Sequence, residues 1–173
     1  MSLGPTLSIL NGMQTAKIMG DYAIGGAVAA FLYLEPGTTF DLDIFVALDP
    51  GPSGIVDLGP IYSYLMGLGY IPRREGIVVE GWEVQFLPTG DALQREALNK
   101  AVPRQIEGVP TRVLTQEHLM AICLQTARPK DLSRLVQFVQ EGHPDLVSLT
   151  DILGRHLLLD KWATFQARYL TPL

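Results

Sequence analysis

Residues Asp21 to Pro50 read DYAIGGAVAAFLYLEPGTTFDLDIFVALDP, and their punctuation is that of a strand, a turn, a helix and a second strand. Tyr22-Ala23-Ile24 is a short apolar strand that ends at Gly25-Gly26. Ala27 to Tyr33 is an apolar run of helical character, and Thr38 to Val46 is rich in β-branched and aromatic residues. Asp41 and Asp43 lie two apart in that second strand. A strand sends alternate side chains to opposite faces, so the two carboxylates share one face, with Cα atoms roughly 6.5–7 Å apart. Leu42, Ile44 and Val46 point the other way, into apolar packing. Two like charges buried side by side are costly unless a cation neutralises them. For ligands that are all oxygen, Mg²⁺ is the expected ion. Glycine adopts unusual backbone angles cheaply and has no side chain to block a ligand. Backbone N–H groups at a helix start attract phosphate. The plainer alternative is a surface hairpin with two solvated aspartates and a tight glycine turn.

This order of features resembles the nucleotidyltransferase fold of the DNA polymerase β superfamily. The family pattern is a strand, a Gly-Gly or Gly-Ser turn, a helix, then Asp-h-Asp-h on the next strand, h being apolar. Gly25-Gly26 and Asp41-Leu42-Asp43-Ile44 occupy those places, with fourteen residues between Gly26 and Asp41, slightly more than is usual. The resemblance implies that Asp41 and Asp43 hold Mg²⁺ on the triphosphate of an NTP. It also implies that Gly25, Gly26 and Thr39 contact the nucleotide. Family members usually carry a third carboxylate on a neighbouring strand. The candidate strand is Trp82 to Leu87, and the equivalent position holds Gln85. Glutamine keeps an oxygen donor but has no charge and accepts no proton. Glu83 lies one period earlier on the same face. Either Glu83 completes the metal site, or the site binds nucleotide and metal with weak or absent chemistry. Gln85 can also be read as a solvated residue on a sheet face.

A second resemblance covers Thr115 to Leu132, which is similar to a segment of abortive-infection-type and uncharacterised bacterial nucleotidyltransferases. There a helix leads into an Arg-x-Lys-Asp turn, and Arg128, Lys130 and Asp131 match it. The resemblance implies a nucleotide-binding role for these three. Two cations at a helix start can clamp phosphates, with Asp131 orienting one of them. Equally, Asp131 is a favourable first-turn charge at a helix N-terminus. Cys123 stands where a lysine is common and Arg134 where an acidic residue is common, and both departures count against a toxin-like assignment.

Composition narrows the setting. At 173 residues the chain is one domain, or one domain with a helical extension, and 47% hydrophobic residues support a core. A net charge of −5 gives no overall basic field for nucleic acid. One cysteine excludes an intramolecular disulfide and suits a reducing compartment. His118, His143 and His156 lie far apart and read as surface or interface residues. The N-terminus has no basic stretch leading into an apolar one, so no signal peptide is expected. The longest apolar run, Ala23 to Leu34, is 12 residues and too short to span a bilayer. The expectation is a cytoplasmic protein with no membrane partner.

Along the rest of the chain, helices are expected over Thr6 to Met19, Pro60 to Gly69 and Asp91 to Lys100, the last capped by Asp91. Asp49 to Gly54 is a cluster of breakers and reads as loop. Ile77 to Val79 and Trp82 to Phe86 flank Glu80-Gly81 as a β-hairpin. Gln105-Ile106 and Thr111 to Leu114 form a second β-pair around Glu107 to Pro110. Arg73-Arg74 reads as a solvated hairpin edge or as a contact to a nucleic acid or a phosphate, and Trp82 as core. From Thr115 the pattern is helical: one helix capped by Thr115, one opened by Pro129, one from Asp145 or Ser148 to Leu159, and one from Lys161 to Tyr169. The fold class expected is α+β: a small mixed β-sheet with helices over residues 1–114, then a helical bundle over residues 115–173. The function expected is Mg²⁺-dependent transfer of a nucleoside monophosphate from an NTP to a hydroxyl on a protein, small-molecule or RNA acceptor. The rival is a decayed nucleotide- or partner-binding module with a protein partner, and a third possibility is a toxin–antitoxin component acting on tRNA or on a partner, the acidic net charge speaking against tRNA.

Overall fold

The computed structural model describes residues 2–48 and 56–170. The run Asp49 to Gly54, read as loop, lies outside the described residues. The chain forms two compact units: one takes the residues up to Ala29 and from Thr38 to Leu114, the other takes Ala30 to Gly37 and the chain from Thr115 on.

The first unit is built on a mixed sheet of β1 (Tyr22–Ile24), β2 (Asp41–Val46), β3 (Ile71–Arg73), β4 (Gly76–Val79), β5 (Trp82–Pro88), β6 (Val102–Ile106) and β7 (Val109–Val113). Its seven strands run in the order β3-β4-β5-β2-β1-β7-β6. The β2–β5 and β1–β7 pairs are parallel and the rest antiparallel. The second β-pair of the sequence is thus joined to the first sheet, through Ile24 opposite Val113 and Leu114 N donating to Ile24 O at 3.0 Å. The sequence carries no sign of β3. Ile71-Pro72-Arg73 is exposed throughout, so nothing alternates, and an edge strand tolerates the proline. The turn between β6 and β7 is only Glu107-Gly108, at φ 51° and 78°. Glu80-Gly81 turns the same way at φ 50° and 93°, and positive φ at both central residues suits the twist of a two-residue hairpin.

Among the described residues, the helices of this part of the chain are α1 (Gly4–Thr15), α2 (Gly26–Ala30), α3 (Gly59–Gly67) and α4 (Ala92–Asn99). α1 begins earlier than the sequence pattern, because Pro5 is well placed in a first turn. It ends earlier too, where Lys17 turns to φ 58° and Ile18 N closes back on Met13 O at 2.9 Å. Its buried side carries Leu7, Leu10 and Met13. α2 ends at Ala30, three residues before the end of the apolar run that suggested it, and the chain turns out of it with Tyr33 N bonded to Ala30 O. α3 buries Ile61 and Leu65, while Tyr62 meets Phe86 edge-on at 6.3 Å. Asp91 caps α4, its Oδ1 accepting from Gln94 N at 2.8 Å. Trp82 is half-buried rather than core, because its indole N–H reaches out to Ser2 O at 3.1 Å.

The second unit holds α5 (Gln116–Thr126), α6 (Pro129–Glu141), α7 (Leu146–Arg155) and α8 (Leu159–Tyr169). α5 packs against the other three. Its core includes Leu119, Leu124, Leu135, Phe138, Leu149, Ile152 and Phe165, and Trp162 stacks on Phe165 at 5.5 Å. Asp145 caps α7 by accepting from Val147 N at 3.0 Å. α7 stops at Arg155, short of Leu159, because Leu157 takes φ 58°. His118 is not at the surface: it is buried at the start of α5, its Nδ1 2.8 Å from the capping Thr115 hydroxyl. No helix among the described residues is long and apolar enough to cross a membrane.

Candidate active site

β2 runs between β1 and β5, and its two faces differ sharply. Leu42, Ile44 and Val46 are fully buried on one face. On the other, Asp41 is exposed, Asp43 half-buried and Phe45 buried. The expectation of two buried like charges therefore does not hold. Asp41 keeps its water, so the case for a cation rests on geometry and not on the cost of burial. In the parallel β2–β5 register, Asp41 faces Glu83 and Asp43 faces Gln85. Residues opposite one another in adjacent strands share a face, so the four oxygen-bearing side chains form one block. The donor set is hard and oxygen-only, and it suits a small divalent cation. No group of three or more His, Cys, Asp or Glu is gathered tightly enough to hold a metal among the described residues.

The Gly25-Gly26 turn is fitted to β2 atom by atom. Gly25 N donates to Asp43 O at 2.9 Å. A Cβ on Gly25 would lie 2.6 Å from a ring carbon of Phe45. Gly26 has φ +57°, and a Cβ there would fall on Asp43 Oδ2 and 2.7 Å from its Cγ. Both glycines are thus required by the strand beside them, in addition to any ligand above them. The Asp43 carboxylate lies directly against the backbone of the turn. α2, which opens at Gly26, is five residues long.

An open cavity of about 590 Å³ lies beside the block, with Thr38, Thr39, Asp41 and Glu83 on one side and Arg73 and Arg74 on the other. Thr39 Oγ1 accepts from Asp41 N at 3.4 Å, and Glu83 N donates to Phe40 O at 3.1 Å, which ties the approach segment to both strands. The two arginines are not just a hairpin edge. No sequence signal marks them, because proline and full exposure hide the short β3 that carries Arg73.

Arg128, Lys130 and Asp131 lie in the second unit, at the corner between α5 and α6. Asp131 is 3% exposed and accepts from Arg128 Nε at 2.6 Å and from Thr126 Oγ1 at 2.8 Å. Burial pushes its carboxyl up, but the Arg128 and Thr126 hydrogen bonds and the charges of Arg128 and Arg134 outweigh that and hold it below the usual carboxylate range. Lys130 is exposed. Cys123 is buried nearby on α5, and burial pushes its thiol up to about 11 although Arg134 pulls the other way.

These features together define the class: the chain has the nucleotidyltransferase fold. A nucleotidyltransferase-like antigenic protein from Paracoccidioides brasiliensis superposes with a TM-score of 0.55 at 14% identity, over 98% of this chain and 97% of that one. Two structures of the antibiotic-resistance factor ANT(2'')-Ia match with TM-scores of 0.46. One, in complex with adenylyl-2''-tobramycin, is 17% identical over 95% of this chain and 98% of that one. The other, in solution, is 16% identical over 95% and 93%. No protein-family model and no curated protein matches the chain.

Proposed function

We propose that this protein is a metal-dependent nucleotidyltransferase that moves a nucleoside monophosphate from an NTP to a hydroxyl acceptor. The observation that carries the reading is Asp41 and Asp43 on one face of a central strand, with Asp43 seated against the Gly25-Gly26 turn. Asp41 and Asp43 would hold the metal, Mg²⁺ by the hardness of their oxygens. Such an ion, when bound, neutralises charge developing on the phosphates. Gly25, Gly26 and Thr39 line the phosphate side. The acceptor oxygen bonds to the α-phosphorus as the bond from that phosphorus to its bridging oxygen breaks. Pyrophosphate leaves with the electron pair. Glu83, in register beside Asp41, takes the hydroxyl proton on a carboxylate oxygen. The lone cysteine suits a reducing compartment such as the cytoplasm.

Thermal unfolding against the four NTPs, with and without Mg²⁺, tests this for wild type and Asp43→Asn. Ligand at 100 times its dissociation constant adds about 2.7 kcal/mol, or roughly 5–10 °C for a chain of this size. A Mg²⁺-dependent shift that disappears in Asp43→Asn is the expected result. No shift with any NTP sinks the reading.

One observation favours a rival. Gln85, a neutral amide, is the residue in register with Asp43. On that reading the site retains nucleotide binding and has lost chemistry. Gln85→Asp separates the two: a gain of transferase activity identifies a decayed site, and a loss identifies Gln85 as a working ligand.

A further inference from the structure

The cavity beside Asp41 is built asymmetrically. Across the sheet, Asp41 on β2, Glu83 on β5, Val78 on β4 and Ile71 on β3 follow one another in register. The carboxylates therefore stand at one side and the β3–β4 hairpin at the other. Arg73 closes that hairpin opposite Gly76, and Arg74 follows in the turn at φ 52°. Both arginines are exposed, both line the cavity, and neither guanidinium has a hydrogen-bond or ion-pair partner among the described residues. Gly76 lets β4 lie close on β5: a Cβ there would lie 2.5 Å from Val84 O and 3.3 Å from Glu83 Cγ. Phe40 stands 62% exposed in the same wall, a large apolar ring left in water at a cavity mouth.

An exposed acidic chain gains little by placing two unpaired guanidinium groups together, since like charges repel. Two adjacent planar forks are, however, well suited to a carboxylate or a phosphate, which they bind bidentately. The volume, about 590 Å³, is in the range of small-molecule sites. We infer that this cavity is the acceptor site, and that the acceptor is a small hydroxyl-bearing molecule with an acidic group, carboxylate or phosphate, held by Arg73 and Arg74 while its hydroxyl points to Asp41 and Glu83. This assignment rests on the reading of Asp41 and Asp43 as the transfer site. The transfer step is the one written above, the acceptor oxygen replacing pyrophosphate on the α-phosphorus. The anionic group takes no part in bond making and serves to select and orient.

The test has a binding arm and a turnover arm. The binding arm uses thermal unfolding without nucleotide or metal. The probes are matched: glycerol against glycerol 3-phosphate and glycerate, and glucose against glucose 6-phosphate and gluconate. At least one acidic member should raise the midpoint where its neutral counterpart does not, and the acidic member that works tells phosphate from carboxylate. The shift should persist in Asp43→Asn and disappear in the Arg73→Gln/Arg74→Gln double variant. Both arginines are exposed, so that variant should fold as wild type does, which its unliganded midpoint checks. In the turnover arm, with NTP and Mg²⁺, the single variants should raise KM for the acidic acceptor tenfold or more with kcat changed less than threefold. Equal shifts from neutral and acidic probes, no shift from any acidic probe, or shifts retained by the double variant would each overturn the inference. Because the binding arm omits nucleotide, an acidic-probe shift alongside failed NTP binding would refute the transferase reading and leave the anion site standing.

Discussion

Gly26 and Asp43 make the closest fit in the site, and each dictates the other. Gly26→Ala places a methyl group on the Asp43 carboxylate and a side chain at φ +57°. A non-glycine residue held at positive φ costs about 1–3 kcal/mol before any clash. Urea unfolding of Gly26→Ala should show at least that loss, and adding Asp43→Ala should recover part of it, the non-additivity expected of two residues in contact. Asp131 is a second residue with a defined energetic role. Its carboxyl is lower in the folded chain than the unfolded value of about 3.9. Its contribution is therefore fully present above that value and is lost as pH falls through the lower folded one. Asp131→Asn should destabilise by about 1.5–3 kcal/mol at pH 7, the range for hydrogen bonds to a charged group. The gap between variant and wild type should close in unfolding curves taken progressively below pH 4. Of these residues, Asp41 and Asp43 were legible because strand alternation fixes their common face from two letters. The exposure of Asp41 was not, since alternation gives a face and not the depth of its cover. Nor was the burial of His118, whose Nδ1 meets the Thr115 hydroxyl at 2.8 Å.

Elements were legible where a local rule acts alone. Asp91, Thr115 and Asp145 each cap the helix that follows, and Pro129 opens α6. Asp91→Ala should cost about 1 kcal/mol, read as a lower midpoint in thermal unfolding with the sheet otherwise unchanged. Boundaries failed where a left-handed residue ends an element, as at Lys17 and Leu157, because neither residue type signals positive φ. β3 failed because its only virtue is a partner. The parallel pairing of β2 with β5, which sets Asp41 beside Glu83 and Asp43 beside Gln85, joins segments about forty residues apart in the chain and follows from no pattern within either one.

At the scale of the molecule, the chain enters the helical unit at Ala30, leaves it at Gly37 and returns at Thr115. A division that interleaves two units in this way cannot be seen from composition along the sequence. It has a measurable result. In a fragment ending at Leu114, hydrogen exchange should remain slow at β2 and β5 amides. The Tyr33 and Leu34 amides, bonded to Ala30 O in the whole chain, should exchange much faster, having lost the helices of their unit. Cys123 offers a last consequence. A thiol that is buried and stays protonated well above neutral pH neither joins two molecules in air nor takes up a maleimide dye. A cysteine introduced at an exposed position such as Lys130 can then carry a fluorophore alone, with the native sulfur left in place. Single-site labelling of this chain should need one substitution, and an intact-mass measurement after dye treatment of the wild-type protein should find no added label.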